Sequence, residues 1–351
     1  MGSLLKINSH KRHNSVAVIV MVIFILFLAS ISYWQEITGP IDKSEFNHYQ
    51  IRVKPGFSSN QVANLLDKKG LIRDPLLFKI MAKVKGVEAK LQTGYYKLDT
   101  SMSINQMLDK LSKGKVIMYQ FSIPEGFTIE EIAQRVAGQF EFSADEFLIT
   151  MKNLEIKNYP FLKDVTEEVN LNNRNYLLEG YLFPETYRIA KGAEVKVIIN
   201  QMLNEFKDKL NQNLISKIKK SDYNLDQIIT IASLIEAEAK YDSERRLVSS
   251  VIYNRLEIGM PLQIDATIQY IIPGHKDKIL YSDLTLKSPY NIYQNLGLPP
   301  GPINNPGLAS IKAALNPADT DYLYYFALDN GEHKFSETYR QHIRLQNELK
   351  Y

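Results

Sequence analysis

The chain opens with a run in which polar positions all but vanish. Residues 16–34, VAVIVMVIFILFLASISYW, hold no charge over nineteen positions. About 20 helical residues at a rise of 1.5 Å cross a bilayer core of roughly 30 Å, so the run predicts a membrane-spanning helix over 15–34. A cleaved signal peptide has an apolar region of about 7–15 residues ending in a small-x-small site. This run instead ends on Tyr33 and Trp34, at the level of an interfacial aromatic belt, which favours an uncleaved anchor. Lys6, Lys11 and Arg12 precede the span, while Glu36 and Asp42 follow it. The positive-inside rule therefore puts residues 1–14 in the cytoplasm as a short tip, and everything from about residue 35 onward outside.

Residues 35–49, a polar stretch containing Gly39 and Pro40, read as a linker, and fifteen extended residues reach at most about 50 Å. Two segments seventy residues apart then resemble each other, IRVKPGFSSNQVA at 51–63 and FSIPEGFTIEEIA at 121–133. Gly56/Gly126, Phe57/Phe127 and Ala63/Ala133 are identical pairs. Each copy predicts a strand, a turn and a helix capped by Ser58 or Thr128. TGYYKLDTSMSINQMLDKLSKG at 93–114 adds a strand, a Ser103-capped helix and a glycine stop, so residues 50–118 form a small β-α-α-β module. Beyond residue 150 the apolar spacing is helical at 196–206, 225–240 and 243–259, where Leu247, Val248, Val251, Ile252 and Leu256 share one face. GLPPGPINNPG at 297–307 holds seven of the chain's 31 glycines and prolines, which predicts a stiff, irregular loop suited to shaping a groove.

Composition narrows the function. With 351 residues, 45% of them apolar, the chain supports two or three compact regions and is neither disordered nor fibrous. The net charge of +3 equals the three basic residues of the tip, leaving the remainder neutral and giving no support to a nucleic-acid partner. Cysteine is absent, which excludes disulfides, thiolate metal sites and cysteine nucleophiles. The histidines at 10, 13, 48, 275, 333 and 342 lack metal-ligand spacing, and no HExxH, P-loop or GxSxG motif occurs. One SxxK match, Ser216 to Lys219, lies in a polar run without its usual companions and reads as helix surface. The 21 tyrosines suit stacking on sugar rings but also ordinary strands and cores.

What remains is carboxylate chemistry. Glu236 and Glu238 lie on one predicted helix, but two residues turn about 200°, so they occupy different faces. Glu236 follows Ile229, Ala232 and Ser233 at the end of the apolar run TIASLIE. There it is a candidate for a desolvated acid with a raised pKa, while a helix-favouring surface residue fits the spacing as well.

From about Ile51 onward the chain resembles the YceG-like endolytic murein transglycosylases of bacterial inner membranes, the MltG family. The matching motifs are EGYLFPETYRI at 179–189, IASLIEAE at 231–238, SERRLVSSVIYNRLEIGMPLQIDATIQY at 243–270, SPYNIYQNLGLPPGPINNPG at 288–307 and HKFSETY at 333–339. The resemblance implies an α+β protein: an N-terminal transmembrane helix, a LysM-like module and a mixed, largely helical catalytic domain over 119–351. It implies that the catalytic glutamate falls on Glu236, and that Glu179, Glu185, Asp265, Tyr290 and Asn291 lie near the glycan groove. Ala237, Ala239 and Ala266 depart from residues frequent in the family, and Tyr181 and Phe183 stand where tryptophans are common, which bears on subsite affinity.

The implied reaction breaks the β-1,4 bond between N-acetylmuramic acid and N-acetylglucosamine inside nascent peptidoglycan, leaving a 1,6-anhydro end. It needs no metal or organic cofactor. The implied surroundings are peptidoglycan strands, the inner membrane and, as neighbours, peptidoglycan synthases. Two alternatives stay open. A lysozyme-like hydrolase needs a second carboxylate, for which Asp265 and Glu185 are candidates, and a non-catalytic peptidoglycan-binding scaffold needs only the module and the tyrosines.

Overall fold

The computed structural model describes residues 4–42, 47–162, 173–274, 276 and 278–349, with side chains in the first helix from Ala17 onward. The first three residues of the tip, residues 43–46 of the linker, and His275 lie outside the described residues. The chain divides into two compact units, Met1–Tyr119 with Ala190–Gly192, and Gln120–Ile189 with Ala193–Tyr351.

In the first unit, α1 (Leu4–Thr38) continues past Trp34 into the expected linker. Its segment Ala17–Thr38 is long and apolar enough to cross a membrane, and its side chains from Val18 to Leu28 are exposed. The last carbonyls of a helix have no partner within it. Here the Arg73 guanidinium supplies donors, to the carbonyl oxygens of Glu36 at 3.0 Å, Gly39 at 3.2 Å and Ile41 at 3.3 Å. The Asp42 amide donates to the Thr100 carbonyl at 3.1 Å, and Ile37 packs on the module's core. The chain leaving α1 is therefore bound to the module, and the free tether is shorter than fifteen residues.

The module runs β1 (His48–Val53), α2 (Ser59–Lys68), α3 (Pro75–Val84), β2 (Gly94–Asp99) and α4 (Ile104–Ser112). β1 and β2 pair antiparallel with Ile51 opposite Tyr96. Reciprocal capping boxes start α2 (Ser58 with Gln61) and α4 (Ser103 with Gln106), while Asp74 caps α3 ahead of Pro75. Apolar positions at helical spacing meet in one core that includes Val62, Leu66, Phe78, Tyr96, Met107 and Leu111.

β3 (Met118–Ser122) leads from the first unit into the second, which continues through a tight turn to α5 (Ile129–Ala137), α6 (Ala144–Lys152), β4 (Thr186–Ala190, whose last residue counts with the first unit), α7 (Val195–Lys209) and α8 (Gln212–Ile218). β3 pairs with β4. Then come α9 (Leu225–Glu238), α10 (Arg245–Glu257), α11 (Asp265–Ile271), α12 (Leu308–Ala314), the hairpin β5 (Tyr324–Ala327) and β6 (His333–Ser336), and α13 (Tyr339–Leu349). Every residue of α9 from Ile228 to Ile235 is buried. An all-round apolar helix of this kind forms the centre of a domain. Ser216 and Lys219 are exposed, as a helix surface requires.

The similarity at an offset of seventy residues is a repeated strand-turn-helix unit. Gly56 and Gly126 both hold φ near +78°, at 78° and 79°, and Thr128 with Glu131 repeats the capping box of Ser58 with Gln61. L side chains rarely adopt this backbone conformation. Gly126→Val should therefore lower stability by more than about 1 kcal/mol, read as a drop in melting temperature. An unchanged melting temperature would remove the turn's requirement for glycine.

Candidate active site

α9 starts on an Asn224–Gln227 capping box, is buried from Ile228 to Ile235 and carries Glu236 in its last turn. Three residues earlier, on the same face, Ser233 binds the proline-rich loop. Its hydroxyl accepts from the Ile303 amide at 3.1 Å, and its carbonyl accepts from Asn304 Nδ2 at 2.9 Å. The loop then runs along α9, so that the Gly307 amide donates to Glu236 Oε2 at 2.9 Å. Arg245, which opens α10, donates from Nη1 to Glu236 Oε1 at 3.1 Å and to Ser310 Oγ at 2.5 Å. Its Nε donates to Asp242 at 2.9 Å. The side chains of Glu236 and Arg245 are only 7% and 9% exposed.

The turn before α5 meets the same loop. The Gly126 amide donates to the Asn305 carbonyl, and the Asn305 amide to the Phe127 carbonyl, both at 2.9 Å. The Asn305 side chain accepts from the Leu182 amide at 2.8 Å and donates to the Phe127 carbonyl at 2.9 Å and to Glu179 Oε1 at 3.0 Å. Glu179 also accepts from the Ile129 amide at 3.0 Å and from the Tyr270 hydroxyl at 3.2 Å. Burial outweighs these donors and pushes the Glu179 carboxyl up to about 8. A cleft of about 430 Å³ opens beside it, lined among others by Gly126, Glu130, Glu179, Ala237, Tyr270 and Asn304. Gly126 brings that cleft to Glu236, whose Cγ lies 3.7 Å from where a Cβ on Gly126 would stand.

Of the residues expected near a groove, Glu179 lines the cleft and shares the Asn305 loop with Glu236. Asp265 opens α11, whose next residue Ala266 lines the cleft, but its own carboxylate accepts from the Tyr293 hydroxyl. Tyr290 is buried with its ring 5.0 Å from that of Tyr270. Asn291 is fully buried and donates to the carbonyls of Leu284 at 3.0 Å and Leu286 at 2.8 Å, so it shapes a loop. Glu185 stands apart, paired with Lys209 at 2.9 Å and bonded to the Thr186 amide. Tyr181 and Phe183 are core residues, with Tyr181 bonded to Asp226 and against Phe206, so those departures concern packing and not the cleft. Glu238 points elsewhere than Glu236, accepting from the Tyr325 hydroxyl at 3.0 Å, and burial raises its pKa. Among the described residues no cluster of histidine, aspartate and glutamate side chains converges to hold a metal ion.

Sequence reasoning missed Asn305, Arg245 and above all Glu125. The Glu125 carboxyl lies against Gly307, where an added Cβ would come within 1.8 Å of its Oε1. Burial, and then the charge of Glu236, raise its pKa. One signal was present. Within the repeat, Glu125 occupies the position of Pro55, so an acid replaces a turn residue in the second copy alone.

The Glu179 shift gives a stability prediction. An unfolded glutamate titrates near about 4.3, and the folded group at about 8. The stability its proton contributes is fully present below the unfolded value and is lost progressively as pH rises through the folded one. Between about pH 5 and 8.5 the protein should therefore lose more stability in urea denaturation than Glu179→Gln, whose amide does not titrate. Parallel losses would show that burial does not hold a proton there.

Residues 51–348 match the model of the YceG-like family. An endolytic murein transglycosylase of Bacillus subtilis is 35% identical over 315 residues, covering 88% of this chain and 87% of that protein. An endolytic murein transglycosylase of Streptococcus pneumoniae is 32% identical over 354 residues, covering 92% of this chain and 64% of that protein. The 2.6 Å crystal structure of a YceG-like protein from Listeria monocytogenes, 34% identical, aligns with a TM-score of 0.60 over 86% of this chain and 100% of that one.

Proposed function

Because the chain belongs to the YceG-like family, we propose that it is an endolytic peptidoglycan lytic transglycosylase, cutting the β-1,4 bond between N-acetylmuramic acid and N-acetylglucosamine. The observation that carries the residue assignment is Glu236, a largely buried carboxyl beside Gly126, which lines a polar cleft, and fixed by donors to both oxygens. Glu236 acts first as general acid on the leaving glycosidic oxygen. As carboxylate it then removes the proton from the muramyl 6-hydroxyl while that oxygen closes the 1,6-anhydro ring. The substrate's acetamido group stabilises the developing cation, so the flanking nucleophile of a retaining glycosidase is not required. Glu179 and the cleft beside it hold the glycan. The hydrolase alternative gains nothing from its two candidate carboxylates, since Asp265 is bonded to Tyr293 and Glu185 is paired with Lys209.

The anchor and the module complete the reading. α1 crosses the inner membrane once with its tip in the cytoplasm, and the LysM-like β1-α2-α3-β2 module binds or spaces glycan outside. Arg73 ties that module to the end of α1, which supports action on nascent, membrane-proximal strands near the synthases that make them.

The test is Glu236→Gln in the full chain, solubilised in detergent and given purified sacculi. The amide is nearly isosteric but transfers no proton, and formation of anhydro-ended products should fall about 10² to 10⁴-fold with the circular dichroism spectrum unchanged. A loss of less than about tenfold would overturn the assignment.

A further inference from the structure

Both carboxyl oxygens of Glu236 already accept hydrogen bonds. Its Oε1 faces Arg245 Nη1 at 3.1 Å and its Oε2 faces the Gly307 amide at 2.9 Å. Neither group accepts a hydrogen bond, so a proton on either oxygen has to point away from both of them. The first step of the proposed reaction nevertheless consumes a proton.

Glu125 is the carboxyl at hand. It sits on the turn between β3 and α5, and its headgroup fills the space beside the Gly307 Cα. Gly307 has an ordinary φ of −74°, so a side chain there would meet this carboxyl and not strain the backbone. One residue's amide thus holds Glu236 while its missing side chain admits Glu125. The titratable groups facing Glu125 are Glu236 from α9, and Arg245 and Asp242 from the start of α10 and the segment before it. Arg245 is already bonded to Glu236, Asp242 and Ser310.

We propose that Glu125 is the proton reservoir of the active site, the two carboxyls Glu125 and Glu236 holding one proton between them and Glu125 keeping it until substrate binds. This rests on the lytic reading given above. The proton passes from Glu125 to Glu236 and on to the glycosidic oxygen as the bond from that oxygen to C1 breaks, its electron pair staying with the leaving oxygen. The 6-hydroxyl oxygen then bonds to C1, and its proton goes to Glu236 and back to Glu125. No water is consumed and the protein's proton count is restored. Burial and the neighbouring charge, which raise the Glu125 carboxyl above the usual range, agree with this geometry. Two interacting carboxyls lose their protons in steps that belong to the pair.

The test is the pH–rate profile for anhydro-product formation by the full chain in detergent. Activity of the parent protein falls at high pH as the pair loses its shared proton. In Glu125→Gln the reservoir and its negative charge are gone while Arg245 remains. The falling limb should move down by at least about one pH unit, with about a tenfold or greater loss near neutral pH that is partly recovered in acid. Glu125→Asp keeps a carboxyl and should keep the limb near its original position. Gly307→Ala, which displaces the Glu125 headgroup, should shift the limb as Glu125→Gln does and covers the case in which that variant folds poorly. A uniform loss at every pH, or a profile like the parent's, would overturn the reservoir. Either result would leave the lytic reading standing if Glu236→Gln is still inactive, whereas an active Glu236→Gln would remove both.

Discussion

A loop buried on every side has to satisfy its own backbone without water, and the segment Gly301–Gly307 is such a loop. Its two prolines and the glycines at its ends remove donors or narrow the chain, but the amides of Ile303, Asn305 and Gly307 still need acceptors. They find the Ser233 hydroxyl, the Phe127 carbonyl and the Glu236 carboxylate. The Asn305 side chain shares the Phe127 carbonyl with its own amide and also takes up the Leu182 amide and Glu179. Leaving one such buried group unpaired costs about 1–3 kcal/mol, so these contacts fix α9, the α5 turn and the 179–182 segment in one arrangement. The Glu236 carboxylate, proposed above as the acid/base, is positioned as a by-product of solving that hydrogen-bonding problem.

Three glutamates around this loop occupy three environments. Glu236 faces a guanidinium and an amide, Glu125 lies against the same glycine where the Arg245 it feels is bonded to Glu236, and Glu179 is buried under donors. Environments that separate otherwise identical carboxyls are how one site divides acid and base work. Arg245 makes the division possible, since it bonds Glu236, Asp242 and Ser310 at once from a nearly buried position.

The parts of this structure that depend on local pattern were legible in the sequence. The apolar run of α1, the capping boxes at Ser58, Ser103 and Thr128, and the helical spacing of α9 each follow from residues a few positions apart. The side chains that assemble the site from distant segments were not. Glu125 and Gly307 meet across nearly the whole second unit, and nothing local marks Asn305 as the centre of a hydrogen-bond knot. Glu185 shows the converse: proximity in a shared motif with Glu179 did not bring the two together, because the strand beginning at Thr186 carries Glu185 toward Lys209. A guanidinium from Arg73, more than thirty residues away, likewise captures carbonyls of the segment read as a linker, a contact that local pattern does not mark.

Closure of the anhydro ring by the muramyl 6-hydroxyl leaves no place for water in the proposed bond-breaking sequence, and that separates this chemistry from glycan hydrolysis. The most direct measurement is the mass of the glycan ends released by the full chain from purified sacculi in water enriched in heavy oxygen. The predicted ends are 1,6-anhydromuramyl residues without incorporated label. Reducing ends carrying heavy oxygen would contradict the water-free mechanism and make the chain a hydrolase.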